Sequence, residues 1–218
     1  MSKQRVNIPG ENMKFKTVLL GPPWTYETWS GPDLPTRQAS AVGATLYPVM
    51  TDNRLFQLPI QNILDSDTAV FMWATMPKLD IAIQLGQAWG LTYKTVAFTW
   101  AKLNPSYAGV WFTQPMNTSV WKTGLGYWTR ANCELVLLFT RGNPKRQAMD
   151  VPQLVVSPIN GHSQKPEEVQ NRIERLVPGP YCELFARRVR PGWTCLGNEI
   201  DGLDIFDAIE KVANEVTE

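Results

Sequence analysis

The sequence has few of the residues that build metal and redox sites. Its 218 residues include one histidine, His162, and three cysteines, Cys133, Cys182 and Cys195, with no close C-x-x-C spacing. An odd cysteine count argues against a disulfide framework, and a single histidine leaves a Cys/His zinc site undersupplied. No metal site is therefore expected, and the cysteines read as reduced thiols of a cytoplasmic protein. No apolar run is long enough to span a bilayer, and the polar start Met1-Ser2-Lys3-Gln4-Arg5 lacks the apolar stretch of a signal peptide. Charge of one sign is missing as well. With 21 Lys and Arg against 20 Asp and Glu the net charge is +1, so nucleic-acid contact would need a local basic patch. There is no G-x-G-x-x-G turn or P-loop after the first strand and no G-x-S-x-G elbow. Dinucleotide folds of ordinary order, NTPases and serine hydrolases lose their support.

What the sequence does have is nine tryptophans and seventeen prolines, suited to flat-faced pockets and stiff loops. Short apolar runs alternate with amphipathic stretches. Strands are expected at Thr17–Leu20, Thr68–Thr75, Thr92–Lys102, Glu134–Thr140, Gln153–Ser157, Tyr181–Ala186 and Trp193–Leu196. Helices are expected from Lys78 to about Trp89, from Pro166 to Val177 and from Asp204 to Val216, with a helical turn over Leu55, Phe56 and Leu58. The alternation predicts an α/β fold with a mostly parallel central sheet flanked by helices. One domain is expected over 1–218, with an aromatic, Gly-rich insertion at 104–130 and a C-terminal helix at 203–218.

Gly21-Pro22-Pro23-Trp24-Thr25-Tyr26 follows the first strand. Two prolines stop the strand, and their carbonyls remain as acceptors. A stiff turn bearing an aromatic ring at a strand's C-terminal end suits a flat base with an exocyclic amine; it also suits a strand-ending turn whose Trp covers the core. Other stretches are equally two-sided. His162-Ser163-Gln164-Lys165 precedes a helix N-terminus, as an anion site or as a capped helix with a surface lysine. Glu183 and Arg187 bracket an apolar strand, as site residues or as an ion pair. Asn198-Glu199 follows Gly197, suited to a ribose diol or to a turn.

Taken together, GPPWTY, LYPVM, FMWAT, KTVAFTWAK, GLGYWTRANCELVLL, TRGNPKR, HSQKPEEVQNRIERLVPGPYCELFARRVRPGW and LGNEIDG resemble one family. It is the S-adenosylmethionine-dependent adenine-N6 methyltransferases typified by the catalytic subunit of the eukaryotic mRNA adenosine methyltransferase, with short phage and bacterial DNA-modifying members. The resemblance covers about residues 16–202 and implies a Rossmann-like methyltransferase fold with permuted motif order. It implies an adenine slot at Pro22, Pro23 and Trp24, and a cofactor site for S-adenosyl-L-methionine at Lys165, Glu183, Arg187, Asn198 and Glu199. Tyr26, Tyr127, Trp128, Arg130 and Lys145 are expected at the nucleic-acid substrate, with Lys102, Lys122, Arg141 and Arg146 as further phosphate contacts. DNA is favoured over RNA. A homodimer, or a heterodimer with a related subunit, is the assembly the family suggests, with no membrane contact. One departure stands out: the family motif begins with Asp where this chain has Gly21. The alternative is thus a degenerate subunit that binds cofactor or nucleic acid and does little chemistry.

Overall fold

The computed structural model describes residues 13–25, 49–108, 120–124, 128–129, 131–159 and 164–215. Strand β1 (Phe15–Leu20) is buried on both faces, as its unbroken apolar sequence requires. Val18 and Leu20 point into one core and Leu19 into another. β1 is flanked in parallel by β2 (Leu64–Ala74) and β6 (Tyr181–Leu184), and β6 in turn by β7 (Trp193–Leu196). On the other side of β2 lies β4 (Cys133–Arg141), antiparallel to it and to β3 (Thr92–Leu103); β3 pairs in parallel with β5 (Leu154–Pro158). The sheet order is β5-β3-β4-β2-β1-β6-β7, with β4 the one reversed strand.

Helices cover both faces. Helix α1 (Asp52–Phe56), α2 (Leu79–Ala88) and α5 (Ile205–Asn214) supply Leu55, Leu85, Ile205 and Ile209 to the core that holds Val18, Met72 and Leu137. α3 (Glu167–Leu176) lays Val169 and Ile173 on Leu19, Phe71, Trp73 and Val136. A short α4 (Asn198–Asp201) follows β7. α3 begins one residue later than its sequence suggests, because Pro166 keeps extended backbone (φ −70°, ψ 135°) and serves as the N-cap. Glu167 and Glu168 occupy its first turn and Arg175 its last, matching the helix dipole. Among the described residues, no helix is long and apolar enough to cross a membrane.

The outer edge of β5 is closed by α3. Arg172 Nη1 donates to the carbonyls of Pro152 and Leu154, at 2.7 and 2.8 Å, and so occupies acceptors that another strand would use.

The expected strand Tyr181–Ala186 ends early, at Leu184. Phe185 takes φ +60°, the one positive φ at a residue other than glycine among the described residues, and the chain turns over the sheet end there. A left-handed aromatic is an uncommon and costly conformation that surrounding structure must hold. Gly197 supplies part of that hold. A Cβ at Gly197 would lie 2.4 Å from the Ala186 carbonyl oxygen and 2.9 Å from the Ala186 nitrogen. Those are backbone atoms tied down by the Ala186 N–H to Leu196 carbonyl bond of 2.9 Å. Gly197→Ala is therefore expected to destabilise the fold by about 2 kcal/mol through overpacking. A denaturant titration checks this; an unchanged midpoint would show that the β6–β7 junction yields freely.

Candidate active site

Because β1, β2, β6 and β7 run the same way, their C-terminal ends meet at one end of the sheet. The reversal of β4 brings its first residues there too. A cleft of about 480 Å3 opens at that end, a volume in the range of small-molecule sites. Its wall includes Gly21, Pro22, Pro23 and Trp24 after β1, and Trp73, Ala74 and Thr75 at the end of β2. Lys165 and Gln170 come from the start of α3, Glu183, Phe185 and Arg187 from the end of β6, and Asn198 and Glu199 from α4. Gly21 and the eight residues expected at the adenine slot and the cofactor site thus line a single cleft, although they span the chain from 21 to 199.

The Pro-Pro turn ends its strand with a Trp that covers the core, and it also borders the cleft. Trp24 is 8% exposed and belongs to the core, its indole N–H donating to the Trp73 carbonyl at 3.1 Å, while part of it borders the cleft. The proline carbonyls are not left open as expected. Pro22 O accepts from the Trp24 N–H and Pro23 O from the Met50 N–H, each at 2.9 Å. The reason is the backbone's own requirement for pairing: the three-residue turn folds Trp24 back, and the segment at Met50 returns to bridge it. A carbonyl oxygen has two lone pairs, so Pro22 O in the cleft wall retains acceptor capacity.

The same cleft wall holds a charged group that sequence reading missed. Glu134, the first full apolar-strand residue of β4 after Cys133, is buried, with its two carboxylate oxygens taken separately by the ammonium groups of Lys102 and Lys165. Burial pushes its carboxyl pKa up, but the two lysines outweigh this and hold it below the ordinary carboxylate value. Each lysine also sits over an indole, Lys165 5.1 Å from the Trp73 centroid and Lys102 5.2 Å from that of Trp100. The signal available in the sequence was an acid heading an otherwise apolar strand. Lys102 is accordingly paired with Glu134.

Glu183 and Arg187 do not form the ion pair that was one reading of their spacing. Arg187 Nε bonds Glu199 Oε1 at 2.8 Å, and Glu183 Oε2 accepts from Gln170 Nε2 at 2.6 Å. The left-handed turn at Phe185 separates the two, sending Arg187 toward α4. Burial raises the Glu183 carboxyl to about 7, against the lowering influence of Gln170, Arg188 and Arg190.

The expected substrate contacts are dispersed. Lys145 lies in the exposed segment after β4, whose C-terminal end is at the far end of the sheet from the cleft. Arg141 and Arg146 share that end, Arg141 Nη1 lying 3.4–3.5 Å from the Leu64 and Gln61 carbonyls at the start of β2. The antiparallel direction of β4, not visible in its composition, is the cause. Trp128 is 94% exposed, and Lys122 is exposed next to Trp121, which bridges Leu103 at the cleft end of β3. Tyr26, Tyr127 and Arg130, with His162, lie outside the described residues. Cys133, Cys182 and Cys195 are free thiols, of which Cys182 is buried.

A family model described as MT-A70 matches residues 15–199. The chain belongs to the MT-A70 family. Within it, the chain is 32% identical over 202 residues to the type II methyltransferase M.MunI of Mycoplasma sp, covering 86% of this chain and 78% of that protein. It is 30% identical over 201 residues to the N(6)-adenosine-methyltransferase catalytic subunit METTL3 of Homo sapiens, and 28% identical over 201 to the MT-A70-like protein of Drosophila melanogaster. These alignments take in 89% of this chain, but it spans only 30% and 28% of those eukaryotic proteins. The MT-A70 match begins at β1 and ends in α4, so it contains every strand of the sheet and the whole cleft wall.

Proposed function

We propose that the chain is an adenine-N6 methyltransferase domain that uses S-adenosyl-L-methionine and acts on nucleic acid, DNA in preference to RNA. The observation that carries this reading is the single cleft joining the Pro-Pro turn to Lys165, Glu183, Arg187, Asn198 and Glu199. MT-A70 membership and likeness to a type II methyltransferase support it, and a Rossmann-like fold of permuted order agrees with a catalytic turn after β1 and cofactor residues after β6 and β7.

The donor set suits the cofactor. Lys165 supplies an ammonium for a carboxylate, Asn198 with Glu199 and Glu183 supply acceptors and a donor for a ribose diol, and Trp73 and Phe185 supply flat apolar walls. The bound cofactor supplies an electrophilic sulfonium methyl group. The protein's contribution is to hold and align an adenine amine. That amine is a poor nucleophile, because its lone pair is delocalised into the ring, so acceptors that draw it toward tetrahedral geometry assist. Pro22 O fits that role better than Pro23 O, whose N–H partner ties the turn to Met50. Trp24, Lys122 and Trp128 are proposed to meet the base and its flanking strand, with the target adenine unpaired or flipped from a duplex.

The test is transfer of labelled methyl from the cofactor to single- and double-stranded DNA and RNA. Label at adenine N6, greatest in DNA, is expected. Label in none of the four, with cofactor bound, would favour the second reading, a degenerate binding subunit. Gly21 in place of the family Asp is what keeps that second reading in view.

A further inference from the structure

We propose that Gln170 is a positioning residue of the cofactor cleft: its side-chain amide holds the Glu183 carboxyl in place and makes the binding of a ribose diol there depend on pH. This deepens the methyltransferase reading and rests on it. No motif marks Gln170, which occupies a helix face otherwise made of Val169 and Ile173. It is one of four buried polar or charged residues among those described, with Thr17, Thr68 and Glu134. A long amide in a core position costs stability unless its hydrogen bonds are used. Gln170 uses Nε2 on Glu183 Oε2 at 2.6 Å, and both residues border the cleft.

The surroundings of Glu183 leave Gln170 as its direct partner. From β1 the neighbour in register is Leu19, and from β7 it is Cys195, whose thiol is pushed upward chiefly by burial. Beyond β6, Arg187 is bonded to Glu199, Arg188 to Glu167 and Arg190 to Glu174. The nearby cations are therefore shared with other acids, and burial carries the Glu183 carboxyl to about 7. An amide suits such a group, because NH2 can donate to the carboxylate and the amide oxygen can accept from the protonated acid. Diol hydroxyls are donors, so the ionised form binds them better. Affinity should rise with pH through neutrality, and removing the Gln170 donor should move that rise to higher pH.

The experiment titrates 5′-methylthioadenosine, which keeps the diol and has no amino-acid group of its own, and S-adenosylhomocysteine from pH 6 to 8.5 by calorimetry. The proteins are the parent chain, Gln170→Met, Glu183→Gln and the double variant, each checked for a cooperative melt. The parent should bind more tightly above a midpoint near 7. Gln170→Met should weaken binding about tenfold at neutral pH and raise the midpoint by about one pH unit. Glu183→Gln should give a flat profile, and the double variant should match it within about twofold, since a residue acting through another is non-additive. A parent profile that is flat, or a folded Gln170→Met with an unmoved midpoint, overturns the proposal. So does a Gln170→Met loss of equal size in the Glu183→Gln background. Should Gln170→Met fail to fold, Gln170→Glu takes its place. It brings a like charge to the same atom and must raise the midpoint further. Failure of the parent to bind S-adenosylhomocysteine at every pH would instead remove the methyltransferase reading itself.

Discussion

Replacing Gly21 with Asp is expected to raise methyl transfer to adenine by about two to three decades, the equivalent of about 3 kcal/mol from one preorganised charged acceptor. The position can take the side chain. A Cβ built on Gly21 would meet only the Trp73 Cδ1 atom, at 3.7 Å, which is ordinary contact, and Gly21 is not among the glycines with positive φ. The new carboxylate would stand beside Pro22 in the cleft wall, where a second acceptor can share the amine with the Pro22 carbonyl. Single-turnover rates with saturating cofactor isolate the chemical step. A parent that already matches Gly21→Asp would show that the carbonyl suffices, and the degenerate-subunit reading would fall. A variant that stays inactive while binding cofactor would show that the loss of function lies beyond residue 21.

Lys165→Met should produce the second large effect, a fall in cofactor affinity of about 30- to 100-fold together with a loss of stability. Lys165 is the cleft's ammonium and also half of the neutralisation of Glu134. Removing one partner of a buried, hydrogen-bonded charge pair is costly because the other charge stays behind. Here Lys102 keeps one oxygen satisfied and the lysines are partly exposed, so about 2 kcal/mol is the expected stability cost. The sign with pH follows from the depressed Glu134 carboxyl. Its stabilisation is present above the unfolded value of 4.5 and is lost as pH falls through the lower folded value. The gap between parent and Lys165→Met melting temperatures should therefore be widest near neutrality and narrow in acid, as pH falls through the lowered Glu134 value. A gap that persists unchanged into acid would mean that Lys165 contributes packing over Trp73 rather than charge.

Local chemistry made most of the elements readable. Unbroken apolar runs such as Val70-Phe71-Met72-Trp73 have the pattern of buried strands, and the stripe of Val169 and Ile173 marks the helix face that packs on the sheet. All seven strands stand where those patterns put them, with ends shifted by a few residues. The shifts have causes outside the segments concerned: Phe185 leaves the strand because Gly197 allows the neighbouring backbone to close on it. Glu134 and Gln170 were passed over because a polar residue in an apolar segment looks like a fault until its partner, far away in sequence, is seen. The location of Lys145 was hidden for the opposite reason, since a basic loop carries no sign of which end of the sheet it occupies.

The residue types at Gly21, Pro22, Pro23 and Trp24, and at Lys165, Glu183, Arg187, Asn198 and Glu199, are properties of the sequence alone, and residue type determines what each group can donate, accept or stack upon. Strand direction, and with it the gathering of residues 21 to 199 around one cleft, was decided by tertiary structure. So were the pairings within it. Lys165 with Glu134, Glu183 with Gln170 and Arg187 with Glu199 each join separate elements of the fold, and only packing determines which buried charge finds which partner.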